Sequence, residues 1–498
     1  MTLNQITDEF FPMSAYLSGS AGKEYTYFDG AIHVDNLDSY YGIVKEMLFN
    51  PGFRKEDFER IRTDLIRSIQ DSLYDDGFVA ARAFDLSVFE DHPYSKPNAG
   101  MIDTLNALTV NDVKDFYEAK YTKQNIIVGL AGGVPESFVA EVMKDVQRLS
   151  SGPVDKEPVA APPAKLTSNA IIIQQAATQA TTVTFGYSLP VDLMTRGHPE
   201  YAALRIALRH YGDGSFTSRL MSEIRVKRGI NYGNSAGLRF EGLALEVYIG
   251  AADTTESAHF ATRMAMYELN KVIEDGLTQE DFEFVRNRWF NVLPVAVDTP
   301  AHVLSLAIEG HEYGFGDDYL SYMQGQLSNL TLADVNAAAR KWLQDESVTY
   351  VFVTPNATDL KARLIDGTTS VPTYSTDVVP ENVTAIDDIV KDYPLGLDAS
   401  NVEITTADEL FPGVSTWTAP IEQVANEQVG APGQVAVGRE GPTDEKELLD
   451  GDGFDLTSDS QSLGETNGET NSGVGALFSS YSALCGIVLS SLSILVWL

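Results

Sequence analysis

Apolar positions recur at helical spacing in several stretches of the chain. Leu37, Tyr40, Tyr41, Val44 and Leu48 fall on one face of a 3.6-residue repeat, as do Ala261, Met264, Ala265, Leu269, Val272 and Ile273. Elsewhere, short runs of β-branched and aromatic residues, Thr181–Tyr187 and Leu243–Ile249, have the composition of strands. Leu108-Thr109 before Asp112 and Leu330-Thr331 before Asp334 read as helix starts. Each offers a Thr cap and an acid in the first turn, where it complements the helix dipole. Strands followed by helices predict an α+β fold.

The same pattern occurs twice. Glu56-Asp57-Phe58-Glu59 with Arg62 returns as Glu280-Asp281-Phe282-Glu283 with Arg286, an offset of 224. Leu108-Thr109 with Asp112-Val113 returns as Leu330-Thr331 with Asp334-Val335, an offset of 222. The run Ile126–Leu130 aligns with Val348–Phe352, and His92-Pro93-Tyr94 with His311-Glu312-Tyr313. Four matches in one order at nearly one offset indicate a tandem duplication. The expected division is a partial first domain at 1–149, a Pro/Ala-rich linker at 150–164 and a second domain at 165–355. A packing arm follows at 356–411. On this reading the first copy is incomplete. Its opening strand and helix would precede Met1 by about 57 residues, which leaves a sheet edge unpaired and a core uncovered.

Charge sharpens the last quarter of the chain. The formal net charge of −36 excludes a bulk nucleic-acid binder, which needs a basic face. From Asp366 onward there are 22 acidic and 3 basic residues, so about half the charge lies there. Residues 412–470 are acidic and rich in Gly, Ser and Thr, the composition of a disordered stalk. The segment 471–498 is a hydrophobic membrane tail, and no charge follows Glu469. Ala476–Leu498 is long enough as a helix to cross a bilayer core of about 30 Å. Two readings stand: a transmembrane anchor, or a lipid-anchor signal with Asn471, Ser472 and Gly473 as the attachment candidates. Either makes the protein membrane-associated. The N-terminal residues have neither a basic region nor an apolar run, so they do not read as a leader.

Chemistry is harder to find. The histidines are His33, His92, His198, His210, His259, His302 and His311, and no two are three to five residues apart. No helix therefore presents a histidine pair on one face, as a mononuclear zinc site usually requires. The single cysteine, Cys485, lies in the apolar tail, and Asp213-Gly214-Ser215 reads as a turn. Sequons at Asn329, Asn356 and Asn382 fit a secreted protein. One segment looks specialised: Ser215 to Gly233, a basic helix end running into a Gly turn, then an aromatic and a strand. By physics alone it is a C-capped helix whose Arg and Lys offset the dipole.

Arg225-Val226-Lys227-Arg228-Gly229-Ile230-Asn231-Tyr232, with Ser218-Arg219-Leu220 upstream, resembles the C-terminal-domain signature of the pitrilysin/insulinase-type zinc metallopeptidases. Pro51-Gly52-Phe53 into Asp57-Phe58-Glu59-Arg60, His92-Pro93-Tyr94 with Gly100, and Phe116-Tyr117 to Tyr121 with Asn125 resemble the second half of that family's N-terminal domain. The resemblance runs from about Glu24 to Pro355, and Asp392-Tyr393-Pro394-Leu395 is similar to the end of bacterial members. It implies tandem metallopeptidase-like domains and, in active members, zinc held by His-x-x-Glu-His and a later Glu. The histidine motif belongs to the part that would precede Met1. The two acidic positions of the later helix fall on Ile61 and Ser68, neither a carboxylate. The resemblance therefore implies no catalytic residue, metal ligand or cofactor in this chain. It does imply a peptide-binding pair, Arg225 and Tyr232, which in the family faces the zinc and orients substrate or stabilises an oxyanion. Two functions follow: a pseudo-peptidase that binds peptide or unfolded polypeptide, alone as a homo-oligomer or as the subunit of an active peptidase, or a zinc endopeptidase whose N-terminal ligands lie outside this chain. A membrane-tethered structural protein with a relic fold is the third.

Overall fold

The computed structural model describes residues 1–153, 161–163, 167–190, 197–239, 244–374, 379–412 and the backbone of 489–497. The first of two sheets contains β1 (Tyr16–Ala21), β2 (Tyr25–His33) and β3 (Ile126–Gly132). The second contains β4 (Asn169–Gln174), β5 (Thr181–Ser188), β6 (Asn234–Arg239), β7 (Ala244–Ala252), β8 (Thr349–Thr354) and β9 (Val402–Thr406). A further strand, β10 (Leu489–Trp497), joins the first sheet. Strand orders are β1-β2-β10-β3 and β6-β7-β5-β8-β4-β9. In the second sheet β4 runs parallel to β8 and β9, while the other pairs are antiparallel.

The principal helices of the first copy are α1 (Leu37–Phe49), α2 (Lys55–Ser72), α3 (Asp76–Phe89), α4 (Val110–Lys120) and α5 (Glu136–Val146). Those of the second are α6 (Tyr201–Gly212), α7 (Thr255–Glu274), α8 (Gln279–Val292), α9 (Pro300–Glu312), α10 (Tyr319–Asn329), α11 (Leu332–Trp342) and α12 (Ala357–Ile365). The arm adds α13 (Glu381–Val390). The predicted caps are present. Asp112 Oδ2 accepts the Thr109 N–H at 2.7 Å and Asp334 Oδ2 that of Thr331 at 3.0 Å, closing a capping box at the start of α4 and of α11. Leu37, Tyr40, Tyr41, Val44 and Leu48 are all buried on α1, against the face of the first sheet that also takes Val128 and Leu130. On α7 the predicted stripe from Ala261 to Val272 is buried likewise.

The duplication is visible in space: β1, β2, α1, α2, α3, α4, β3 and α5 match β6, β7, α7, α8, α9, α11, β8 and α12 in order. This moves one expected boundary. Residues 357–365, read from sequence as the start of the arm, form α12, the counterpart of α5, and pack against α7 and β4 of the second domain. The arm proper follows, and its β9 extends the second sheet as an edge strand. Its end reaches α3, where Phe411 stacks on Phe78 with ring centroids 5.2 Å apart.

Each sheet is covered on one face by a helix of the other copy. α3, from the first copy, lies on the second sheet: Val79, Ala83 and Phe84 pack against Ile171, Ile173, Val351 and Val353. α9, from the second copy, lies on the first sheet, where Leu304 and Ile308 meet Tyr25, Tyr27, Ile127 and Ala131. Glycines mark both crossings. A Cβ on Gly129 would sit 2.5 Å from Leu304 Cδ1; one on Gly186 would first meet Leu245 O of the neighbouring strand at 1.9 Å and then Phe84 Cζ at 3.1 Å. This exchange buries both faces of β4, β5 and β8. β4 and β8 are apolar on both faces, whereas β5 places Val183, Phe185 and Tyr187 in one core and buries Thr182, Thr184 and Gly186 on the other face.

The expected incompleteness of the first domain is corrected at one point. β10 occupies the place that β5 holds in the second sheet, antiparallel to both neighbours, so that position is paired rather than open. Nine residues of the expected membrane tail thus pair with β2, and seven of them, Ser490–Val496, also with β3. Asn471, Ser472 and Gly473, the rest of the tail and the stalk from residue 413 lie outside the described residues. Among the described residues no single helix is long and apolar enough to cross a membrane. No described helix covers α4 as α6 covers α11. Ala338 and Ala339 of α11 are buried, whereas Phe116 of α4 is 44% exposed beside a mainly apolar cavity of about 280 Å³. That cavity is lined by Leu17, Phe28, Met47, Phe53, Phe116 and Tyr117.

A salt bridge also crosses between the copies. Asp85 of α3 is buried and lies 3.3 Å from Arg239 of β6, which bonds Glu246 at 2.7 Å. Burial pushes the Asp85 carboxyl up to about 6, against the pull of Arg239 and Lys23.

Two outcomes are expected. Phe84→Ala removes the ring at the α3 crossing and destabilises the protein by about 3–5 kcal/mol, read from urea unfolding. For Asp85, the native state holds a proton more tightly than the unfolded chain, so this group's contribution falls as pH rises from about 4 to about 6. The stability of Asp85→Asn relative to the parent should therefore increase by on the order of 2–3 kcal/mol between pH 4 and pH 7 in paired urea titrations.

Candidate peptide-binding surface

The segment from Asp213 to Gly233 connects α6 to β6, and its backbone follows from a few residues. Asp213-Gly214-Ser215 is the predicted turn: Gly214 has φ +79° and Asp213 Oδ1 accepts the Ser215 N–H at 3.0 Å. Met221–Val226 then winds as a π-helical stretch. It closes at Gly229, φ +68°, whose N–H donates to Arg225 O at 2.8 Å while the Ile230 N–H reaches Ile224 O at 3.2 Å. That is the glycine-capped end read from the sequence.

Beneath the surface the segment is held by buried polar pairs. The Arg228 side chain is fully buried between two carboxylates, with Nη1 3.0 Å from Glu223 and Nε 2.7 Å from Asp387 on α13. Burial raises the Glu223 carboxyl, but hydrogen bonds from Lys227 and Arg228 outweigh it and hold the group below its usual range. Asn231 and Asn234 exchange side-chain hydrogen bonds at 2.7 and 2.8 Å, and Asn231 also donates to Gly250 O at 3.1 Å. The motif's basic residues thus divide: Arg228 is a structural tie to the arm, and Arg225 is turned to the surface.

Arg225 and Tyr232, the two residues singled out by resemblance, meet. Arg225 Nη1 donates to Tyr232 O at 2.6 Å, and its guanidinium carbon lies 5.5 Å from the Tyr232 ring centroid. The same guanidinium lies 4.6 Å from the centroid of Phe216. Tyr232 is 87% exposed and Phe216 57%. Two accessible aromatic rings flanking a cation, fixed on a rigid loop, offer apolar area and hydrogen-bond donors to an extended chain. Phe216 was not among the residues picked out from the sequence, although it sits two positions before the Ser218-Arg219-Leu220 run. The fold brings it within 4.6 Å of the Arg225 guanidinium, nine residues on.

The residues present do not fit a zinc ion at the position the resemblance implies. Ile61 and Ser68 are exposed on α2, the first without a donor atom and the second with only a neutral hydroxyl. Asp64, on the same helix, is paired with Arg60 at 3.3 Å. His33, His92 and His198 each accept a backbone N–H two residues on, at 3.3, 3.1 and 3.2 Å. His302 bonds Asp298 at 2.6 Å, and His210 lies 3.9 Å from Asp281. His259 is buried, and burial together with Arg263 and Arg363 drives it down to about 3, a neutral imidazole. Among the described residues no three of His, Cys, Asp and Glu converge as a metal site.

A polar pocket of about 230 Å³ borders the segment on its α6 side. Within it Arg288 lies 3.1 Å from Asp213, and the Arg209 guanidinium lies 4.9 Å from the Trp289 ring centroid. Burial and the neighbouring Arg205 bring Arg209 down to about 9.

Residues 107–288 match the family model described as the peptidase M16 inactive domain. A Streptomyces coelicolor protein named uncharacterized zinc protease is 26% identical over 53% of this chain, and the match spans 58% of that relative's length. A Helicobacter pylori protein named non-peptidase homolog YmxG is 19% identical over 64% of this chain and 72% of its own. Among solved structures, the peptidase M16 inactive domain from Pseudomonas fluorescens superposes with a TM-score of 0.63 at 20% identity, covering 71% of this chain and 84% of that one. By family model over residues 107–288, by relatives and by fold, the chain is similar to the pitrilysin-type M16 peptidases and their inactive domains.

Proposed function

We propose that this protein is a non-catalytic member of the family that binds extended polypeptide on its second domain, as a binding or assembly subunit of a peptidase. The observation that carries the reading is a contrast between two places in the fold. The helix that would supply the later zinc ligand has Ile61 and Ser68 at the acidic positions. The Phe216–Arg225–Tyr232 surface is intact, accessible and held from beneath by Arg228, Asn231 and Asn234. A relative named as a non-peptidase homologue supports the same reading.

In binding, the chain's own groups do simple work. Arg225 donates to a carbonyl or terminal carboxylate of the peptide, and its flanking rings fix the guanidinium plane so that little side-chain freedom is lost. Tyr232 and Phe216 exclude water along the peptide edge. The loop's buried ties keep these groups in place before the peptide arrives, which lowers the entropy cost of binding.

The second reading, a zinc endopeptidase with ligands beyond this chain, is favoured by the zinc-protease names of other relatives. In active members zinc would supply an activated water and polarise the scissile carbonyl. α2 offers no carboxylate at the expected positions, so no step is derived through the metal here.

Fluorescence anisotropy with labelled unstructured peptides tests the binding surface. Tyr232→Ala and Arg225→Ala should each weaken binding by about 5- to 30-fold, with unfolding midpoints unchanged because both side chains are peripheral. Unaltered affinity in both variants would remove the surface from the proposal. Elemental analysis of the longest native form of the protein after dialysis against zinc decides between the readings. Sub-stoichiometric zinc, unaffected by Asp64→Ala, is expected; one zinc per chain lost in that variant, with peptide cleavage, would establish the second reading instead.

A further inference from the structure

β10 comes from the far end of the chain, yet its backbone is registered on both sides. Leu489–Trp497 runs against His33–Tyr25 of β2, and Ser490–Val496 against Gly132–Ile126 of β3. The sequence suits this seat. Positions 491 and 493 are Ser, opposite Ala131 and Gly129 of β3, where α9 crosses closely through Leu304. The alternate positions Leu492, Ile494 and Val496 lie opposite Leu130, Val128 and Ile126, whose side chains join the core beneath α1 and α5. Ser491 to Ile494 alternate small polar with aliphatic residues, a strand pattern, and 494–497 continue as an apolar run. Without β10, β2 and β3 would have no common neighbour, and each would present a row of open N–H and C=O groups.

The same nine residues belong to the uncharged run 476–498, whose length suffices for a bilayer-spanning helix. A spanning helix satisfies its backbone internally, whereas β10 spends its backbone groups on β2 and β3. With β10 seated, only residues 476–488 remain, and as a helix they would reach about 20 Å, well short of the hydrocarbon core. We propose that residues 489–497 are a donor strand that completes the first domain's sheet, and that this seat excludes insertion of the tail into a bilayer. Capture of the tail by a membrane then opens a two-sided strand slot between β2 and β3.

Hydrogen exchange of the full chain, with and without phosphatidylcholine vesicles, tests both halves. Removing residues 489–498 should speed exchange in 25–33 and 126–132 by at least about tenfold, and excess synthetic peptide of residues 487–498 should restore protection. Ser491→Pro, which interrupts the ladder without removing the apolar run, should loosen the same amides and raise the vesicle-bound fraction of the full chain. Vesicle-bound chain should exchange in β2 and β3 as the shortened chain does. Unchanged exchange after both the deletion and Ser491→Pro would overturn the donor strand. Vesicle-bound chain with β2 and β3 still protected, or no vesicle binding even by Ser491→Pro, would overturn the exclusion. The Ser491→Pro measurement stands by itself if the shortened chain does not fold.

Discussion

The reciprocal crossing of α3 and α9 is the constraint on which the rest of this structure depends. Each copy sends one helix across to cover a face of the other's sheet, so neither sheet can bury both faces with its own residues. β4 and β8 of the second sheet carry apolar side chains on both faces, and one of those faces has no cover until the first copy is in place. Association of the copies is therefore part of folding each of them, and the buried Asp85–Arg239 contact is made only once the crossing exists. The arm adds to the lock, since Phe411 closes over Phe78 on the far side of α3.

That frame accounts for the contrast between the two halves of the motif segment. The side facing inward is satisfied by charge pairs and amide pairs with almost no accessible surface, and one partner, Asp387, comes from the arm. The side facing outward shows a cation between two rings. In the proposed binding role, the rigidity of the surface comes from the buried pairs beneath it rather than from Phe216, Arg225 and Tyr232 themselves. The neighbouring polar pocket carries an ion pair, Arg288–Asp213, and Arg209 stacked on Trp289.

The two domains share a plan but not a degree of completion. In the second, α6 seals α11, and β5 and β4 are supplied by adjacent sequence. In the first, the strand position is met by residues from the distal end of the chain, and the side of α4 that bears Phe116 opens on a cavity. The physical requirement is the same in both: a strand flanked on each side must be filled by some backbone, because open ladders are costly in a buried sheet.

Much of this was legible in the residues themselves. The offset of 222 to 224 between repeated motifs, the Thr–Asp caps, the Asp213-Gly214-Ser215 turn and the Gly229 helix end all depend on interactions within a few positions of one another, and the structure reproduces them. The absence of a carboxylate at Ile61 and Ser68 is likewise a property of sequence alone. What tertiary structure decided was which surface meets which: that α3 and α9 cross over, that residues 357–365 belong to the second domain, that Phe216 joins Arg225 and Tyr232, and that 489–497 pair with β2 and β3. Apolar periodicity records that a face will be buried, because burial depends on the residues of that face. It does not record the neighbour that buries it, because van der Waals and hydrophobic contact accept any surface of complementary shape, however distant along the chain.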